Sequence, residues 1–192
     1  TEGYINSDKA VEVATSLQRF FTENLANIDP TPTEFQDGKA AMWIAGNTGQ
    51  IPQFEDFPDL NWGASWLPRV GENMVSNCGS WTLGISKDCK DPDAAYVALE
   101  FMTNTESTRL YGEVGGYPPA RKSAYEDNGQ WDEYPYNIAK EQLFEAAVPR
   151  PKTPVYTVLT SKYAEALLDI FTGSDPKESL DAVAAYVDEE YA

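Results

Sequence analysis

Along this chain one amphipathic helical segment is followed by three short apolar runs and then by further helical segments, with prolines and glycines between them. The run Ala40–Ala45 is continuously apolar, which is typical of a strand covered on both faces. Trp62–Leu67 and Trp81–Ser86 are predicted as two further strands. This pattern predicts an α/β fold with more helix than strand.

Apolar spacing and capping residues predict the helices. The first is expected to begin after Ser7 and to run to about Asn27. The others are expected at about 92–102, from Thr105 to the Gly115-Gly116 pair, and at about 136–147, 155–171 and 176–191. The stretch Pro119–Pro135 is polar and rich in turn residues, so it is predicted to be mostly loop.

Charge and composition exclude several classes of function. The chain has 14 Lys+Arg against 31 Asp+Glu, a net charge of −17, which opposes binding to nucleic acid or to an anionic membrane. It contains no histidine, so His-based catalysis and His metal ligands are excluded. No metal site and no cofactor are predicted. The longest uncharged stretch, Ala40–Phe54, is too interrupted to span a bilayer.

Two further features of the sequence concern its start and its thiols. The first residue is Thr1 instead of Met, which indicates a processed or excised piece. Cys78 and Cys89 could close a small loop, although two buried thiols are the favoured interpretation.

Acidic pairs and glycines offer little sign of catalysis. Asp132-Glu133 and Asp188–Glu190 are interpreted as a solvated acidic face in preference to a glycosidase dyad, which needs two carboxylates about 5–10 Å apart across a sugar. Gly115-Gly116 lacks the pattern of a phosphate-binding loop and is interpreted as a helix stop. The chain is not predicted to be an enzyme, and an acidic carbohydrate-active enzyme remains the alternative.

Aromatic residues beside turns are the more informative signal. Aromatic faces next to amides and hydroxyls suit sugars, which have apolar C–H faces and hydroxyl rims. The loop Ser76–Trp81 is equally compatible with ligand binding and with core packing, and any other single ring is more often a core residue. The aromatic residues in or beside such turns are Trp62, Trp66, Trp81, Tyr117, Trp131, Tyr134 and Tyr136.

Several motifs occur in the order found in one known family. Phe35-Gln-Asp-Gly-Lys-Ala-Ala-Met-Trp-Ile-Ala-Gly resembles the F-x-x-G-K-A-A-M-x-x-x-G signature of family 1 extracellular solute-binding proteins of ABC transporters, the carbohydrate receptors related to maltose-binding protein. Trp66-Leu-Pro, the stretch Gly79–Lys87, the helix after Asp91, the turn Gly115–Arg121 and the stretch Gly173–Leu180 are similar to later motifs of that family.

The resemblance implies a type II periplasmic-binding-protein-like fold, present here only in part. It covers the family's C-terminal half: residues 1–80 and 132–192 would belong to the C-terminal lobe, and residues 83–130 would be the return segment of the N-terminal lobe. Such a piece exposes sheet edges and apolar surface, which favours self-association. A third hypothesis is therefore a structural fragment without ligand affinity.

The resemblance also implies a function. A mono- or oligosaccharide would be held between two lobes that close about a hinge, and the closed form would be presented to ABC permease subunits. The protein would be extracellular, either anchored to the cell surface as a lipoprotein or periplasmic. The ligand-binding residues carried over from the family are Asn47, Thr48, Asn77, Ser80, Trp81, Tyr117 and Tyr156.

Overall fold

The computed structural model describes residues 3–44, 48–69 and 74–190. Its contacts divide the chain into two units, one made of Thr1–Glu34 with Pro151–Ala192 and the other of Phe35–Arg150. The α-helices are α1 (Asp8–Thr22), α2 (Pro92–Thr103), α3 (Thr105–Gly115), α4 (Tyr136–Ala146), α5 (Tyr156–Phe171) and α6 (Pro176–Glu190). The strands are β1 (Ser76–Cys78) and β2 (Ala147–Pro149), and 3₁₀ helices span Thr48–Asp56, Lys122–Tyr125 and Gly129–Asp132.

Helices α1, α5 and α6 pack together in the first unit. Ala14, Ile170 and Leu180 form one buried cluster, and Ala166, Val183 and Val187 form a second. Phe21 stacks on Phe171 with ring centroids 4.4 Å apart. The Gln18 side-chain amide donates to the carbonyls of Ile170 and Ser174, at 2.7 and 2.8 Å, so it satisfies acceptors at the end of α5.

An amide contact ties the start of the chain to Asp181 of α6, which also forms an ion pair within that helix. Asp181 accepts from the Lys177 ammonium and from Asn6 Nδ2, and the latter contact measures 2.8 Å. The hydrogen bonds from Lys177 and Asn6 hold the pKa of Asp181 below its ordinary value of 3.8. The ionised carboxylate therefore contributes stability above the unfolded-state pKa, and this contribution is lost as the pH falls through the folded-state pKa.

We expect Asp181→Asn to lower the melting temperature at pH 7. This gap, the difference in melting temperature between the variant and the wild type, should close as the pH falls below 3.8. Thermal unfolding followed by circular dichroism from pH 7 to pH 3 measures this gap. Glu12→Gln is the control, since Glu12 on α1 is exposed and has no ion pair among the described residues. A gap that stays constant across the pH range would contradict the prediction.

The second unit has its largest buried side chain in a turn-rich region. Trp131 is fully buried, with ring centroids 5.5 Å from Tyr125 and 5.3 Å from Tyr136. Tyr125 also packs edge-on against Phe144 of α4. Burial raises the pKa of Tyr125 to about 12. A separate group of rings, in contact along the segment that begins the unit, consists of Phe35, Trp43, Phe54 and Trp62.

The predicted helices are confirmed, with small changes at their ends. Asn104, the residue before the predicted start at Thr105, caps α3 by accepting from the Ser107 amide at 2.8 Å. Helix α1 ends at Thr22, short of the predicted Asn27, because Asn24 adopts a left-handed backbone with φ 57°. No helix among the described residues is both long enough and apolar enough to cross a bilayer.

The three predicted strands are wrong over the described residues. No strand is formed by residues 40–44, by Trp62–Leu67 or by Trp81–Ser86, and Ala45 lies outside the described residues. A strand needs a neighbour to satisfy its backbone groups, and the described chain supplies none to these segments. Trp62–Leu67 is held by side chains instead: Tyr134 OH contacts the backbone of Ala64, and Gln142 Oε1 accepts from the Leu67 amide at 2.9 Å.

The sheet forms where the sequence analysis predicted no strand. Strands β1 and β2 pair in parallel, with Ser76 opposite Ala147 and Cys78 opposite Pro149. The expectation of two buried thiols is also wrong, because Cys78 is exposed on β1, Cys89 is partly buried and both are free. A three-residue strand with a single neighbour leaves Cys78 uncovered.

Candidate functional site

A stacked pair of tyrosines marks the end of α3 in the second unit. The rings of Tyr117 and Tyr111 lie nearly parallel, with centroids 5.3 Å apart and an interplanar angle of 15°. Gly49 and Gly115 border the Tyr117 ring so closely that a Cβ at either position would lie 2.4 or 2.8 Å from ring carbons. Tyr117 remains 37% exposed, so part of a firmly positioned ring is accessible.

The local sequence explains why Tyr117 folds back onto its own helix. Gly116 has φ 67°, and its amide donates to the Gly112 carbonyl at 2.8 Å, which is a left-handed helix cap. Such caps commonly bring the residue after the glycine into contact with the last full turn of the helix. The contact between Tyr117 and Tyr111 is of this kind.

The start of the next described segment contacts the end of α3. Thr48, the first residue of the 3₁₀ helix Thr48–Asp56, donates its hydroxyl to the Gly116 carbonyl. Thr48 and Tyr117, both predicted to bind ligand, are therefore brought together although they are far apart in sequence. We refer to Thr48, Tyr111 and Tyr117 as the tyrosine corner site. Asn47 lies outside the described residues.

The remaining predicted residues of this unit lie around β1. Asn77 is exposed on β1, opposite Val148. Ser80 donates its hydroxyl to the Trp81 carbonyl at 3.2 Å, and the Trp81 side chain is 97% exposed. No hydrogen bond or ring contact among the described residues joins the side chains of this group to those of Thr48 and Tyr117.

Two polar side chains that the sequence analysis did not single out support β1. Gln142 of α4 accepts from the Leu67 amide and donates to Ser76 Oγ at 3.3 Å, so it links α4 to the start of β1. The Arg150 guanidinium lies against Gly79, where a Cβ would be 3.2 Å from its Nη2. Neither contact follows from a local motif, because both join positions about 70 residues apart.

Tyr156 belongs to the other unit. It is the first residue of α5, it is partly exposed, and its amide donates to the Thr153 carbonyl at 3.2 Å. Its assignment as a ligand contact stays a prediction.

One member of the carboxylate pair that the sequence offered forms an ion pair. Asp132, which the sequence offered as half of a carboxylate pair, is paired with the Lys140 ammonium. No group of three or more carboxylate or thiol side chains in the described part of the chain could hold a metal ion.

Comparison with known proteins now decides the family. Residues 6–139 match a family described as bacterial extracellular solute-binding protein. The chain belongs to this family. The predicted resemblance to extracellular solute-binding proteins is therefore confirmed, and with it the predicted location outside the cytoplasm, extracellular or periplasmic.

A curated relative of this family member comes from Sinorhizobium fredii. That protein is named as a probable amino-acid ABC transporter periplasmic-binding protein, y4oP, and it is 27% identical over 133 residues. The match covers 62% of this chain and 29% of the relative, so the chain matches less than a third of that protein's length.

Solved structures share the fold over nearly the whole chain. A cyclo/maltodextrin-binding protein in complex with maltotetraose has a TM-score of 0.72 at 22% identity, covering 97% of this chain and 49% of that one. A maltose-maltodextrin binding protein from Alicyclobacillus acidocaldarius has a TM-score of 0.75 at 17% identity, covering 96% and 51%. An ABC substrate-binding protein from Listeria monocytogenes in complex with cycloalternan has a TM-score of 0.75 at 18% identity, covering 97% and 50%.

These similarities confirm the predicted fold class, a partial periplasmic-binding-protein-like α/β fold. The chain spans about half the length of each solved structure that it matches. The assignment of residues 1–80, 83–130 and 132–192 to particular lobes stays a prediction.

Proposed function

We propose that this family member contributes to the solute-binding subunit of an ABC importer and that its solute is a carbohydrate. The proposal rests on the tyrosine corner site. There the partly exposed ring of Tyr117 stacks on Tyr111 and lies close against Gly49 and Gly115. Two proteins of the same fold were solved with maltotetraose and cycloalternan bound, which supports an oligosaccharide as the ligand.

The proposed contacts divide into aromatic and polar groups. Tyr117 and Trp81 would pack against the apolar C–H faces of sugar rings, and the exposed indole of Trp81 has most of its surface left to bury. The hydroxyls and amides would bind sugar hydroxyls, because each can donate or accept. The polar residues of this set are Asn47, Thr48, Asn77 and Ser80, and Tyr156 would add a phenol.

Binding would proceed by closure of the fold without covalent chemistry. The chain would pass between the two predicted lobes near residues 80–83 and 130–132, and such crossings are where a hinge can bend. The ligand would favour the closed conformation by contacting both sides of the cleft, and the closed form would be the one that ABC permease subunits recognise.

An amino acid is the second candidate solute, since the Sinorhizobium fredii relative is named for one. A free amino acid carries an ammonium and a carboxylate, and burying them requires groups of opposite charge. None of the seven proposed contact residues is charged. Arg150 beside Gly79 supplies a cation, but the set contains no acid to bind the ammonium. This chemistry favours the carbohydrate.

Isothermal titration and thermal unfolding with maltotetraose, and separately with a panel of amino acids, test the proposal. At about 100 times its dissociation constant, a bound sugar should stabilise the chain by about 2.7 kcal/mol. Stabilisation by amino acids alone, or by no compound of either panel, would contradict carbohydrate binding by this chain.

Gly49→Ala tests the site without removing any proposed contact. Its methyl group would lie 2.4 Å from Tyr117 Cε1 and Cζ, so the ring must leave its position beside Tyr111. We expect Gly49→Ala and Tyr117→Ala each to weaken sugar binding by about tenfold, which is about 1.4 kcal/mol. Tyr4→Ala is the control, because Tyr4 is 83% exposed and lies outside the site. Unchanged affinity in both site variants would reject the tyrosine corner as the binding site.

A further inference from the structure

The Arg150 side chain is held against the residue that follows β1. Strands β1 and β2 run parallel with Cys78 opposite Pro149, so Gly79 and Arg150 are the next residues along the two strands. A Cβ at Gly79 would lie 3.2 Å from Arg150 Nη2 and 3.4 Å from its Cζ and Nε. Because three atoms of one planar group lie at nearly equal distances, the guanidinium turns one of its faces toward this glycine.

This contact leaves the edge of the guanidinium available to a ligand. The N–H donors of arginine point outward in the plane of the group. The Arg150 side chain forms no hydrogen bond or ion pair with a described residue. Residues 74–86 include no charged side chain, and residues 147–155 include Arg150 and Lys152 but no acid. These two stretches are therefore positive in a chain whose net charge is −17.

The position of Arg150 in the sheet suits ligand binding. In open parallel α/β sheets, ligands bind beyond the carboxyl ends of the strands, and Gly79 and Arg150 lie directly beyond the carboxyl ends of β1 and β2. Asn77, Ser80 and Trp81, all proposed sugar contacts, lie within two residues of Gly79, a distance that an extended chain spans in about 7 Å. The guanidinium therefore borders this part of the proposed site. Strand pairing and the contact with Gly79 fix its place, so the placement does not depend on what else surrounds the sheet.

We propose that the solute is an acidic carbohydrate and that Arg150 binds the carboxylate of a uronic acid unit. This inference rests on the proposed function and names its substrate class. A carboxylate presents two oxygens in one plane, which match the edge of a guanidinium in a bidentate pair. Arg150 supplies one positive charge, which balances a uronate, whereas a phosphate monoester carries a charge of about −1.5 to −2. A uronate also has no ammonium, so it does not require the acid that the proposed contact residues lack.

Tetragalacturonate and its methyl ester test the role of charge, because esterification keeps the sugar chain and removes the carboxylate. We expect isothermal titration to show about tenfold tighter binding of the acid, which is about 1.4 kcal/mol. Added salt should reduce this preference. Equal affinities, tighter binding of the ester or binding of neither compound would overturn the inference. Maltotetraose in the same assay separates the two proposals: if it binds and the acid is not preferred over its ester, carbohydrate binding stands and only this inference fails.

Arg150→Gln tests the residue itself. We expect it to abolish the preference, so that the acid and the ester bind alike. Arg150→Lys keeps the charge but not the planar fork, so it should keep only part of the preference. Arg19→Gln is the matched control, since it removes the same charge from an exposed side chain on α1, and it should keep the whole preference. Equal weakening of acid and ester in Arg150→Gln would show that Arg150 only supports the loop. That result, or a preference that survives in Arg150→Gln, would overturn the proposal.

Discussion

Replacing Trp131 by alanine should lower the free energy of unfolding by about 3–5 kcal/mol, a large part of the stability of a typical domain. The indole is fully buried between Tyr125 and Tyr136, at centroid distances of 5.5 and 5.3 Å. Removing it leaves a cavity between these two rings. Urea unfolding followed by circular dichroism measures the change, since loss of a tryptophan complicates fluorescence.

Trp81→Ala is the matched control for this prediction. It removes the same side chain from a position that is 97% exposed, so its effect on unfolding should stay within about 0.5 kcal/mol. Tyr125→Phe separates packing from polarity, because it removes only a buried hydroxyl that has no partner among the described residues. It should leave stability unchanged or raise it. Equal losses from Trp131→Ala and Trp81→Ala would show that this buried ring does not organise the unit.

Leu180→Ala should destabilise the first unit by about 2–5 kcal/mol. Leu180 is fully buried on α6 in one cluster with Ala14 of α1 and Ile170 of α5, so this cluster joins all three helices of that unit. The measurement is again denaturant unfolding, with Leu168→Ala as control. Leu168 is on α5 and 55% exposed, and its truncation should cost well under half as much. Similar losses from the two variants would contradict the assigned core.

Local sequence signals predict the turn that positions Tyr117, but they do not predict the contact between this turn and Thr48. The Gly115-Gly116 pair was interpreted as a helix stop, and the left-handed cap at Gly116 is what turns Tyr117 back onto α3. The same rule could have identified Tyr111, which lies one turn before the cap. The contact with Thr48 could not be predicted from local signals, because it joins residues 68 positions apart.

The turn-rich stretch shows where composition was informative and where it was not. Pro119–Pro135 was expected to be loop, and it contains only the 3₁₀ helices Lys122–Tyr125 and Gly129–Asp132. Trp131 was grouped with aromatic residues suited to sugars, yet it is fully buried. A polar segment can bury one large ring, and sequence pattern does not reveal which ring is covered.

The helices, the resemblance to the family and the exclusion of histidine chemistry follow from the amino-acid sequence. Helix signals act within a few residues, through caps such as Asp91, which accepts from the Ala94 amide at 3.0 Å, and through apolar spacing on one face. Tertiary structure alone decided which segments pair as strands. Apolar runs such as Trp81–Ser86 have strand character, but a ladder needs a second backbone beside the first. The strand that supplies this second backbone can be far away in the sequence, since β1 pairs with β2 about 70 residues later.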